Sequence, residues 1–197
     1  MSARKKQITP ADILPPAEYA RRRAAMRTEI VRKKKNRRIE VGPCATFYFE
    51  CYETMLQQVQ EMLHIEKGGE AQIADELCAY NPLIPKGQEL VATVMFEIDD
   101  PVRRTNMLAR LGGVEETMFI RIGDDRIKGT PEEDQDRTSA EGKASSVQFV
   151  HFNFTPAQIA KFRQPGLMIV IGMEHPNYGH MAVMPDAMRA ELAQDFD

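Results

Sequence analysis

The stretch Leu167-Met-Ile-Val-Ile-Gly-Met-Glu-His-Pro-Asn-Tyr-Gly-His-Met-Ala-Val-Met184 decides the fold. Two apolar runs, Leu167 to Glu174 and His180 to Met184, flank Pro176-Asn-Tyr-Gly, whose proline, asparagine and glycine favour a tight reversal. A reversal this short joins only antiparallel strands, because a parallel partner needs a crossover of a dozen residues or more. Outward from the hairpin, Ser146 to Phe154 is a strand, and Thr155-Pro-Ala-Gln matches a capping box opening a helix to Arg163. A last helix follows Pro185. Two more strand pairs surround turn signals: Thr117–Ile122 and Arg126–Lys128 around Gly123-Asp-Asp, and Arg38–Val41 and Cys44–Phe49 around Gly42-Pro43. Glu89 to Ile98 adds another strand. Strands outnumber what βαβ alternation would give, so the expected class is α+β: a mostly antiparallel sheet packed by helices, with a long basic N-terminal helix.

The helices carry their own punctuation. From Glu50 to Glu66, Tyr52, Met55, Leu56, Val59 and Leu63 make one apolar stripe at helical spacing. Ala71 to Tyr80 ends at Asn81-Pro82, since the residue before proline is pushed out of the helical region. Asp100-Pro101 opens a helix that Gly112-Gly113 closes, and Pro15-Pro16 opens the longest, Ala17 to about Asn36, with Tyr19, Met26 and Ile30 on one side. Gly129 to Ser145 holds five acids and no aliphatic residue larger than alanine, which predicts a mobile acidic loop. The organisation expected is a basic arm over residues 1–40 and one α+β domain over 41–197.

Composition is that of an ordinary globular chain, at 43% hydrophobic and 28% charged over 197 residues, enough to build a core without disulfides or structural metal. Cys44, Cys51 and Cys78 form no CxxC pair and read as reduced thiols. The charged start runs into no apolar signal-peptide core, and no apolar run approaches a membrane span, so a cytoplasmic protein is expected. The net charge of −3 conceals a split: residues 1–40 hold thirteen Lys and Arg against four acids, a local +9 that leaves the rest at −12. Such asymmetry concerns partners and association rather than fold.

Three features carry possible chemistry. Arg32, Lys33, Lys34, Lys35, Arg37 and Arg38 would meet an acidic partner surface, or phosphates. No aromatic residue interleaves that run, so a base-stacking platform is not indicated, and nucleic acid ranks below a protein partner. The bland alternative is that the arm lies across the acidic remainder of its own chain. Glu61 and His64 stand at ExxH spacing, which di-iron bundles use in duplicate, whereas one copy is present here. With Gln57 and Gln60 they form a polar stripe that, together with the Asn81 loop, could line a pocket or merely face water. His175 and His180 would face each other across the terminal hairpin as drawn, a feasible pair of metal ligands. No phosphate-binding glycine loop, nucleophile elbow or HExxH zinc motif is present, so no catalytic residue and no cofactor is assigned.

Several phrases occur together in order: Arg38-Ile-Glu-Val-Gly-Pro, Gln60-Glu-Met-Leu-His-Ile-Glu, Glu76-Leu-Cys-Ala-Tyr-Asn-Pro-Leu-Ile-Pro, Phe96-Glu-Ile-Asp-Asp-Pro, Ser146-Val-Gln-Phe-Val-His-Phe and His175-Pro-Asn-Tyr. With them the chain resembles a bacterial family known as domain of unknown function 3501. Genes of that family stand beside those of rubrerythrin-like proteins and iron–sulfur oxidoreductases. The resemblance therefore implies an accessory role in a redox or oxidative-stress system, with one of those proteins as partner. The family pattern has arginine at the position of His64, which weakens the ExxH metal reading. The expectation is a non-catalytic interaction protein docking through its basic helix. The alternatives are an enzyme or small-ligand binder using the Glu61/His64 and His175/His180 region, and a nucleic-acid-binding protein.

Overall fold

The computed structural model describes residues 5–132 and 142–197. Among the described residues there are eight strands: β1 (Arg38–Val41), β2 (Ala45–Phe49), β3 (Glu89–Phe96), β4 (Met118–Ile122), β5 (Asp125–Pro131), β6 (Val147–Asn153), β7 (Ile169–His175) and β8 (Tyr178–Val183). They form one sheet in the order β1-β2-β3-β6-β5-β4-β7-β8, antiparallel at every pairing. Six α-helices among the described residues accompany it: α1 (Pro16–Lys34), α2 (Tyr52–Glu66), α3 (Gly69–Tyr80), α4 (Pro101–Leu108), α5 (Pro156–Arg163) and α6 (Asp186–Leu192). This is the α+β class, with an antiparallel sheet packed by helices.

At two helix starts the punctuation does what its chemistry predicts. Asp100 caps α4 by accepting from the Arg103 amide at 2.6 Å, and Thr155 and Gln158 form the reciprocal capping box of α5. Strand alternation places Phe47 and Phe49 of β2, Leu90, Ala92 and Val94 of β3, Ile120 of β4 and Ile171 of β7 in one buried cluster. The sheet curls around that cluster until its edge strands meet. There the phenol of Tyr178 donates to Val41 O at 2.8 Å and accepts from the amides of Cys44 and Ala45 at 3.1 and 3.0 Å. Gly42 makes the approach possible: its φ is +73°, and a Cβ there would lie 2.5 Å from His180 Cγ. Phe154, Phe162 and Phe196 meet edge to face and join the same cluster, linking β6, α5 and the C-terminal residues.

The sheet's other face carries a second cluster. Met55 and Val59 of α2 pack with Val91 of β3, Leu83, Ile84 and Ile8, and Tyr52, Leu56 and Leu63 flank them half-buried, so the centre of the expected α2 stripe is buried and its margins are partly open. Asn81 ties the N-terminal segment down, accepting from the Ile8 amide at 2.7 Å and donating to Ile8 O at 3.0 Å.

Two expectations need correction. Strand β5 runs through Pro131, so the first residues assigned to the acidic loop are paired with β6: Gly129 opposite Phe152, Thr130 opposite His151, Pro131 opposite Val150. The inward positions there are Ile127, Gly129 and Pro131, a set with too little aliphatic character to announce a strand. Positions 133–141 of the expected loop lie outside the described residues. The terminal hairpin is also tighter than drawn, because β8 already begins at Tyr178, opposite His175, leaving Pro176-Asn177 as the whole loop.

Candidate functional site: the basic helix and the cleft beneath it

Helix α1 begins on Pro16, where a missing amide costs nothing, and presents Tyr19, Arg23, Met26, Ile30 and Lys33 along one side at helical spacing. That side faces α2. The Tyr19 hydroxyl donates to Glu61 Oε1 at 2.5 Å, and the Arg23 guanidinium grips the same carboxylate with both prongs at 2.9 and 2.7 Å. The Arg23 hydrogen bonds hold Glu61 down to about 2, although partial burial opposes them. Burial, then the adjacent carboxylate, pushes the Tyr19 phenol up to about 12. In the last turn of α1, Lys33 reaches Glu53 at 3.0 Å and Glu191 of α6 at 3.6 Å.

Arg37, just beyond the helix, is 1% exposed. Its guanidinium donates to Phe49 O at 3.0 Å and Glu50 O at 2.8 Å, to Glu191 at 3.2 Å and, as a tight pair, to Asp195. The inward cations of the arm are thus consumed by the chain's own acids. Arg37 is accordingly unavailable to a partner, because its side chain is spent inside the fold. The outward cations differ. Arg21, Arg27, Arg32, Lys35 and Arg38 are exposed, and among the described residues none of them forms an ion pair. Arg21, Arg32 and Lys35 recur at separations of eleven and three, which places them on one stripe of the helical lattice. Lys34 is half-buried on the flank of that stripe.

The expected polar stripe of α2 is covered by α1 and the segment before it rather than open. Gln57 and Gln60 are buried, Gln60 accepting from the Leu14 amide at 3.1 Å. His64 stands edge-on to the Tyr19 ring at 5.7 Å between centroids. Asn81 is engaged with Ile8 as described, away from this contact. Next to Gln57 a cleft of about 510 Å³ opens between α1, α2 and α6, lined by Met26, Ile30 and Leu56 together with Glu29, Arg32 and Glu53.

The histidine pair on the hairpin does not form as drawn. Register sets His175 opposite Tyr178 and His180 opposite Met173, so the imidazoles are not direct neighbours across the ladder. Both ring nitrogens of His175 are taken, Nε2 by Gly112 O at 3.3 Å and Nδ1 by the Asn177 amide at 3.2 Å, while His180 stacks edge-on against Tyr178 at 4.5 Å. Among the described residues no group of three His, Cys, Asp or Glu is placed to hold a metal ion. No helix among them is long and apolar enough to cross a membrane. The three cysteines are free.

One histidine escaped the sequence reading. His151 on β6 sits between two carboxylates, Nδ1 at 2.9 Å from Glu89 and Nε2 at 2.8 Å from Glu132. Burial works against its charge, but the two acids prevail and its pKa is raised. A raised histidine pKa gives stability that is fully present below the unfolded-state value of about 6.5 and lost as pH climbs through the folded-state value. Denaturant unfolding across that range should therefore show stability falling with rising pH, and His151→Gln should remove most of the slope. An unchanged slope would mean that the clamp does not hold the proton. Glu89 and Glu132 lie 62 and 19 residues from His151, so no local spacing could have revealed them.

No curated protein matches the chain. Among solved structures it is similar to a novel protein of unknown function from Burkholderia pseudomallei K96243, with 34% identity and a TM-score of 0.89 over 97% of this chain and 100% of that one. The family described as Protein of unknown function (DUF3501) matches residues 7–196, which span the arm, the rolled sheet and the C-terminal acids that anchor Arg37, and the chain belongs to that family.

Proposed function

We propose that this protein is a non-catalytic accessory protein that docks onto an acidic partner surface through the outward face of α1 and the residues that follow it. The observation that carries the reading is the partition of the arm's charge. Arg23, Lys33 and Arg37 are neutralised by Glu61, Glu53, Glu191 and Asp195, while Arg21, Arg27, Arg32, Lys35 and Arg38 project without ion-pair partners among the described residues. A fixed helix with such a stripe steers an acidic partner into register and speeds encounter more than it deepens affinity. The partner class supported by the family resemblance is a rubrerythrin-like protein or an iron–sulfur oxidoreductase of a redox or oxidative-stress system. Nucleic acid is the weaker reading, because the residues between the outward cations are Ala24, Ala25, Thr28 and Val31, none of which stacks on a base.

The test is to titrate the purified protein against the rubrerythrin-like and iron–sulfur proteins of its host, with duplex DNA as competitor, at several salt concentrations. Association that weakens steeply with salt and resists DNA supports the proposal. No association at low salt, or complete displacement by DNA, overturns it.

A further inference from the structure

We propose that the cleft between α1 and α2 binds a small organic ammonium with an apolar body. This site lies on the inner side of α1 and shares only Arg32, on its rim, with the docking surface. The starting point is the Gln57 side chain, which lines the cleft although the residue is only 7% exposed. Its amide orientation is fixed by its neighbours. Nε2 donates to the Tyr19 hydroxyl and lies 3.1 Å from Glu61 Oε1. Glu61 is a carboxylate held ionised by Arg23 and can only accept, so the nitrogen must face it. The Gln57 Oε1 acceptor is thereby turned away from Glu61, buried and without a donor. A buried acceptor in that state is costly, and a ligand bringing an N–H donor removes the cost.

Charge selects which donor. Glu29, Glu53 and Glu191 line the cleft against Arg32 and Lys33, an excess of one negative charge. Lys33 is committed to Glu53 and Glu191, which leaves Glu29 on the exposed rim as the carboxylate open to a cation. An ammonium at the floor of the cleft therefore satisfies the Gln57 carbonyl once the side chains covering that oxygen part, and it meets a negative lining as well, whereas an anion at the same depth would face Glu53. The rest of the wall is Met26, Ile30 and Leu56, which suits a branched aliphatic body. Arg32 on the rim would engage a carboxylate if the ammonium belongs to an amino acid rather than to a simple amine.

Three probes of one shape separate these cases by calorimetry on the intact protein: isoamylamine, leucine, which adds a carboxylate, and 4-methylpentanoate, which lacks the ammonium. Isoamylamine or leucine should bind at least about tenfold more tightly than 4-methylpentanoate, the difference expected of one charge-assisted buried hydrogen bond. Leucine above isoamylamine identifies an amino acid as the natural class, and the reverse order identifies an amine. Gln57→Met should weaken binding about tenfold. Glu29→Gln, on an exposed side chain whose loss leaves the core untouched, should weaken it several-fold and serves if Gln57→Met fails to fold. Equal binding of 4-methylpentanoate, no binding of any probe at tens of millimolar, or folded variants that bind as well as the native chain would overturn the proposal.

Discussion

Replacing Arg37 by methionine is expected to destabilise the fold by about 3–5 kcal/mol, the cost of stranding the other half of a buried ion pair. Arg37 and Asp195 are 1% and 2% exposed at their side chains, so neither can recruit solvent when the other is lost. The substitution also removes the donors to the carbonyls of Phe49 and Glu50. These contacts join the end of the arm to the start of α2 and the C-terminus, three places far apart in sequence. Combining Arg37→Met with Asp195→Leu should recover much of the loss, because the stranded carboxylate is gone, but not all of it, because the two carbonyls stay unpartnered. Urea unfolding with an unchanged m-value is the measurement. A single-variant cost below about 1 kcal/mol would mean that the cluster is not the clasp described here.

The second large effect is expected at Tyr178. Tyr178→Phe keeps the ring against Phe96, at 5.7 Å between centroids, and deletes only the hydroxyl. That hydroxyl serves three backbone groups of the β1–β2 turn, and its loss should cost about 2–4 kcal/mol, since buried backbone groups left unsatisfied cost more than the net value of a bond. The damage should be local as well as global. Hydrogen exchange at the Cys44 and Ala45 amides should accelerate more than exchange in β3, where the ladder is intact. Uniform acceleration would show that Tyr178 contributes only to the core, and unchanged exchange would show that the sheet edges are closed by other contacts.

How much of this was legible in the sequence varies with the range of the interaction. Local signals held at the capping box of Thr155 and the Asp100-Pro101 helix start, which rest on contacts within a few residues. Helix α3 does end at Tyr80, but Asn81 before the proline keeps a helical conformation (φ −61°, ψ −34°) and leads into a short 3-10 turn, and the α2 stripe is covered by residues far away in sequence. The sheet order did not follow from local signals, because β6 enters between β3 and β5, and β4 pairs with β7, through partners that no turn connects. Within the basic run, Arg37 looked like its neighbours. Asp195, 158 residues away, together with Glu191 and the carbonyls of Phe49 and Glu50, makes it an internal clasp rather than an outward cation. The polar stripe around Gln57 and Glu61 was visible, but its burial depended on where α1 would lie. The His151 clamp and the Gln57 cleft are likewise assembled from elements that meet only in the folded chain.

The partition of the arm's charge is tested most directly by one quadruple variant, Arg21→Gln, Arg27→Gln, Lys35→Gln and Arg38→Gln, with unfolding and partner association measured on the same preparation. Unfolding close to that of the native chain, within about 1 kcal/mol as exposed unpaired charges allow, together with loss of the salt-dependent association, is the predicted result. A variant that still binds its acidic partner with native affinity, or one that unfolds as readily as Arg37→Met, would contradict it.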